Sequence, residues 1–152
     1  MAAVLRNLHF GFTVSNLERT VAFFRDCLGL TVQTRGRDLP EETAQFVGVP
    51  GADLNYCVMA APDHTIELME YLGPPDRIRL NSRPCDVGFS HLSYLVSDLD
   101  AFIEDAARFD VYPVNPPLSF PTHGCRGIYM RDPDGLAIEV IQNLPGSVPS
   151  DR

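Results

Sequence analysis

The sequence contains no lysine; all twelve basic residues are arginine. Schiff-base catalysis and P-loop phosphate binding both require a lysine amine, so neither fits this chain. Acidic residues outnumber basic ones by twenty to twelve, for a formal net charge of −8 and a pI near 4.8. Nucleic-acid binding needs clustered cations, and there is no basic stripe. An anionic membrane surface is disfavoured on the same ground. Tryptophan is absent, with no functional message. The four cysteines, Cys27, Cys57, Cys85 and Cys125, form no CxxC pair, whereas structural thiolate zinc sites favour short ligand spacings. With no signal-like apolar run near the start, they read as reduced thiols of a soluble cytoplasmic protein. The longest uncharged stretch near the start, between Arg6 and Glu18, is far too short to span a bilayer.

What is present is a phrase written twice. "HFGFTVSNLE" starts at His9 and "HLSYLVSDLD" at His91. In the first copy Leu8, Phe10, Phe12 and Val14 alternate with His9, Gly11 and Thr13, the period of a strand with one face on a core. Ser15 and Glu18 have capping-box spacing, and Leu17, Val21, Phe24 and Leu28 follow at helical intervals up to Gly29. "TVQTRGR" reads as a strand and "LPEETAQFVGVPG" as a loop with one helical turn. "DLNYCVMA" and "TIELMEY" are strands joined through Ala61–His64. The second copy repeats the order: strand "SHLSYLV", helix "SDLDAFIEDAARF", strand "VYPVN", and a Pro-rich loop from Pro116 to Gly124. "RGIYMRD" and "LAIEVIQ" then form a hairpin across Asp132-Pro133-Asp134-Gly135. The endings align as well, putting Glu67 in register with Glu139. The reading is a single α+β domain over 1–152, with module one at 8–72, a linker at 73–88 and module two at 89–143. A repeat that cannot bury its sheet alone packs against its partner.

Singly, a strand histidine is a hydrogen-bonding residue and a glutamate in an alternating strand is its solvent-facing half. Here two of each occupy equivalent places in two repeats. If the open faces of the modules meet, His9, Glu67, His91 and Glu139 converge. Two carboxylates in one cavity would repel, and a divalent cation removes that penalty.

The modules, with "HFGFTVSNLERTVAFFRDCLGL" at the front and "YMRDPDGLAIEVIQ" at the back, resemble the vicinal oxygen chelate superfamily. Its members include glyoxalase I, methylmalonyl-CoA epimerase, extradiol dioxygenases and the fosfomycin and bleomycin resistance proteins. The resemblance covers about Leu8 to Asn143. It implies tandem βαβββ modules forming a curved mixed sheet around a metal-binding cavity. It places the family's four ligand positions on His9, Glu67, His91 and Glu139, a set resembling bacterial glyoxalase I. Mixed nitrogen and oxygen ligands accept Ni²⁺, Co²⁺, Mn²⁺, Fe²⁺ or Zn²⁺.

The chemistry so implied is that of a divalent-metal-dependent lyase, isomerase or epimerase. It would act on a small α-oxygenated carbonyl compound through an enediolate, with Glu139, before Glu67, as the base. An Fe²⁺ dioxygenase using His9, His91 and Glu139, or a non-catalytic resistance-type binding protein, is the alternative. Glutathione-dependent relatives need cations for the tripeptide's carboxylates, and Arg35, Arg37, Arg126 and Arg131 are on offer. The loop "NPPLSFPTHGCRG" reads as the mouth of the site. His123 and Tyr129 are candidate substrate contacts with Arg126; Tyr94 reads as core, His64 as solvated and Cys125 as inert. A small-molecule substrate and a homodimer complete the expectation, the four ligands coming from one chain or from modules swapped between two.

Overall fold

The structure is a computed structural model and describes residues 2–146. The boundary between two compact units falls at Ile78/Arg79. Unit 1 runs β1 (Phe10–Thr13), α1 (Leu17–Asp26), β2 (Thr31–Arg37), α2 (Pro40–Val47), β3 (Asp53–Ala60) and β4 (Thr65–Gly73). Its sheet has the order β1-β4-β3-β2, with β1 parallel to β4 and the other neighbours antiparallel. Unit 2 runs β5 (His91–Leu95), α3 (Leu99–Ala107), β6 (Tyr112–Pro113), β7 (Leu118–Phe120), β8 (Cys125–Arg131) and β9 (Ala137–Asn143). Its order is β5-β9-β8-β6, with β7 also on β8 and β5 parallel to β9. The α+β expectation holds, although the strands form two mixed sheets, one in each unit, instead of one. Among the described residues no helix is long and apolar enough to cross a membrane.

Local chemistry explains the boundaries. The N-cap of α1 is Asn16, one residue later than the capping box implies; its Oδ1 accepts from the Arg19 amide at 2.9 Å. Asp98 caps α3, accepting from the amides of Asp100 and Ala101. The stretch read as a single helical turn is the full helix α2. Pro40 stands at its first turn, Glu41 and Glu42 complement its dipole, and Gly48 closes it in the left-handed region at φ 70°. In unit 2 the strand expected over "VYPVN" shrinks to two residues, and the Pro-rich loop holds the unexpected short strand β7 and a 3-10 turn, Pro121–His123.

In each unit one face of the sheet lies under a helix, α1 or α3, and in unit 1 α2 also packs against β3. In unit 1, α1 packs on β3 and β4 and buries Val21, Phe24, Cys57, Met59, Ile66 and Leu68. Phe10 and Phe12 are in register with Ile66 and Leu68 and share that face. Because the helix lies over the central strands, Leu8 and Phe10 at the start of the edge strand remain 64% and 50% exposed. This differs from the expectation that all four alternating residues face a core. In unit 2 the covered face carries Ile128, Met130, Ile138 and Val140, and Tyr94, in register with Val140, lies on it as expected.

A buried carboxylate organises the backbone of the β8–β9 turn. Asp132, only 8% exposed, accepts through Oδ1 from the amides of Asp134 (2.9 Å) and Leu136 (2.8 Å). Asp132→Ala leaves both donors without that partner in a half-buried turn, and is expected to lower unfolding stability by about 1–3 kcal/mol in urea titrations.

Candidate functional site

Parallel pairing of the first and last strands puts a histidine beside a glutamate in both units. In unit 1 Gly11 faces Glu67 across the β1–β4 ladder, with Val58 opposite Glu67 on β3. Glu67 therefore points to the face that α1 does not cover, between the apolar Ile66 and Leu68 of the other face. His9 stands one residue before β1, and its Nε2 lies 3.2 Å from Glu67 Oε2. A Cβ at Gly11 would come within 3.0 Å of only the flexible end of Met69. In unit 2 Glu139 is in register with Ser93 on β5 and Tyr129 on β8. Ser93 Oγ donates to Glu139 Oε2 at 2.8 Å, and His91 Nε2 lies 3.6 Å from the same oxygen. The Tyr129 hydroxyl is 3.3 Å from His91 Nε2. The His91 ring stacks near Phe89 and is tilted against Tyr129, with centroids 6.1 and 5.2 Å away.

Each unit thus holds one imidazole nitrogen beside one carboxylate, both partly exposed. Among the described residues no group of three or more His, Cys, Asp or Glu side chains is gathered at one point, so the structure shows two pairs. Burial, and secondarily the Glu139 carboxylate, hold the Tyr129 phenol above its ordinary value, so it stays protonated.

The other candidates divide by face. Arg126 is in register with Gln142 on the face that α3 covers. Its Nη2 donates to Asp100 of α3 at 2.7 Å and its Nε to Gln142 at 2.9 Å. The expected substrate contact is therefore a clamp between sheet and helix, pointing away from Glu139. Arg35 bonds Glu18 of α1 at 3.1 Å on the covered side of unit 1. Hydrogen bonds to Cys57 and Glu18 raise its pKa. Arg37 forks onto Asp53 at 2.8 and 2.5 Å. Arg131 does share the open face with Tyr129. Its guanidinium sits 5.1 Å above the Phe89 ring and donates to the carbonyls of Ser82 and Gly135. His123 is exposed on its 3-10 turn, with contacts to Phe120 and Thr122. His64 bonds Asp63 at 2.7 Å, and Cys125 is buried and unoxidised. Sequence reasoning misses Ser93 and Phe89. Ser93 does carry a signal, since it occupies the position of Gly11 in the repeated phrase.

A sequence profile of the Glyoxalase/Bleomycin resistance protein/Dioxygenase superfamily matches residues 6–140. The chain belongs to this superfamily. Glyoxalase-superfamily relatives include a putative lactoylglutathione lyase of Brassica oleracea var. gemmifera, 28% identical over 146 residues and 95% of this chain. The chain spans about half the length of that lyase, 46%. A 2-epi-5-epi-valiolone epimerase of Actinomyces sp is 29% identical over 153 residues, covering 95% of this chain and 82% of the epimerase. A solved glyoxalase family protein from Bacillus cereus shares the fold, with a TM-score of 0.82, 22% identity, and coverage of 94% of this chain and 97% of its own.

The Tyr129 environment has a measurable consequence. In chelator-treated protein, the phenol titration assigned by difference from Tyr129→Phe has its midpoint above that of free tyrosine, and Glu139→Gln brings it down. Because the folded-state value is the raised one, Tyr129 ionisation weakens the fold as pH climbs through the tyrosine range, where the unfolded phenol loses its proton first. An unshifted midpoint in Glu139→Gln would leave burial as the entire cause.

Proposed function

We propose that this protein is a divalent-metal-dependent lyase, isomerase or epimerase that moves a proton at the carbon beside a carbonyl in a small α-oxygenated substrate. The ligand set proposed is His9, Glu67, His91 and Glu139, one pair from each unit. The observation that supports it is the duplication of one arrangement. On each sheet face left open by its helix, a histidine at the head of the first strand lies within 3.6 Å of a glutamate on the last. Two imidazole nitrogens and two carboxylates suit a borderline divalent ion and leave its charge balanced. The donor types fit, an imidazole nitrogen lying beside a carboxylate oxygen in each pair.

A bound ion would supply Lewis acidity toward two neighbouring substrate oxygens. The protein's groups account for the proton. Glu139, held by Ser93, takes it from the α-carbon, and Glu67 is the second carboxylate able to exchange one. Tyr129, kept protonated, is a hydrogen-bond donor beside His91. Activity toward a small-molecule substrate, and assembly as a homodimer, belong to the same reading. The epimerase relative favours this reading over a lyase alone, since the match extends over most of that protein's length.

The test is deuterium incorporation from heavy water at the α-carbon of hydroxyacetone and lactaldehyde, with protein loaded with Mn²⁺ or Ni²⁺. Wild type is expected to exchange, and Glu139→Gln at saturating metal to slow exchange by about a hundredfold or more. Metal uptake with no exchange would contradict proton transfer and turn attention to oxygenation.

A further inference from the structure

The open face of unit 1 continues from Glu67 into a cleft of about 450 Å³ beneath α2, a volume suited to a small ligand. Leu54, Glu67 and Met69 line it from the sheet, and Asp38, Glu42 and Phe46 from the α2 side. Phe46 is 92% exposed. A lone exposed apolar residue is ordinary on a surface, but this one borders a cleft whose floor holds a candidate ligand residue. Its ring offers flat apolar area to whatever enters.

The charges lining the cleft have one sign. Asp38, Glu42 and Glu67 are its ionisable residues, and no arginine or histidine is among the lining side chains. The arginines of β2 in the same unit are paired with carboxylates: Arg37 is forked onto Asp53, and Arg35 is tied to Glu18 on the covered side. An anionic flank entering the cleft would lie against the carboxylates of Asp38 and Glu42, with no cationic side chain in the lining to balance it.

We propose that this cleft receives the flank of the substrate, and that the substrate is an uncharged α-oxygenated carbonyl compound with a partly apolar flank, not a glutathione conjugate or a phosphate ester. This rests on the metal-centre reading above and names the substrate class for it. Asp38 and Glu42 act as the charge filter, and Phe46 and Met69 supply apolar contact.

Two probes that differ only in flank charge test this. Benzohydroxamate chelates a divalent ion through two neighbouring oxygens and presents an uncharged ring, whereas para-carboxybenzohydroxamate presents an anion. Their affinities are measured calorimetrically on the full chain loaded with Mn²⁺, with metal content determined on the same sample. The uncharged probe is expected to bind wild type about tenfold more tightly. Glu42→Arg is expected to bring the ratio toward one, and Phe46→Ala to weaken the uncharged probe about threefold to tenfold. Equal affinities in wild type, or tighter binding of the carboxylated probe, would overturn the inference while leaving the metal centre in place. Binding of neither probe to protein shown to carry Mn²⁺ would overturn this inference, whereas failure of the chain to take up Mn²⁺ would overturn the metal-centre reading on which it rests. The decisive ratio is read on wild type, so a variant that fails to fold does not affect it.

Discussion

Parallel neighbouring strands cannot be joined by a tight turn; the chain must leave the sheet and return. In each unit the first and last strands are such a pair, β1 with β4 and β5 with β9. Everything between them is the return path: a helix that covers one face, then antiparallel strands that bring the chain back beside its start. The helix settles which face is core, and the pleat then sends every second residue of the last strand to the other side. Glu67 and Glu139 stand on that other side between buried aliphatic neighbours, and the leading histidine of each unit lies next to its glutamate. A register slip of one residue in either parallel pair would send the carboxylate under the helix.

The same partition sorts the charges. On the covered faces arginines serve as fasteners, Arg35 to Glu18 of α1 and Arg126 to Asp100 of α3. On the open faces the carboxylates lie beside imidazoles, and beyond Glu67 the cleft under α2 is lined by acid and apolar groups. No cationic side chain lines the cleft in unit 1, whereas Arg131 stands on the open face of unit 2. The paired carboxylates are the electrostatic reason for expecting a divalent ion at the His–Glu pairs, and the unbalanced cleft for expecting a substrate flank without negative charge. The second of these rests on the acidic lining of the cleft, in a chain that has no lysine to offset it.

Much of this is legible in the amino-acid sequence alone. The duplicated phrase at His9 and His91, and the alignment of Glu67 with Glu139, identify the repeat unit and its four polar residues, because alternation and register are properties of sequence. Strands β3, β4, β8 and β9 show themselves by β-branched and apolar alternation between turn residues. Helix α2 has its signals in Pro40, Glu41, Glu42 and Gly48, but a short helix beside the turn-rich "VGVPG" reads as loop. The capping register at Ser15 is off by one because Asn16 offers an equally good oxygen. Arg126 looks like a substrate contact from its place beside the loop. Only the pairing with Gln142 across the sheet shows that it faces the helix, since a one-residue difference in parity decides the side. The exposure of Leu8 and Phe10 depends on where α1 lies across the sheet, which local pattern does not encode.

The central claim is that the two His–Glu pairs serve one metal ion. Calorimetric titration of Mn²⁺ or Ni²⁺ into chelator-treated wild type, His9→Ala and His91→Ala tests it most directly. One ion per chain is expected. Either variant, though the two lie in different units, is expected to weaken binding of that same ion by about tenfold or more, the scale on which single-ligand loss acts. Binding that loses only half its stoichiometry in each variant, or that one variant leaves untouched, would mean two independent pairs and would contradict the claim.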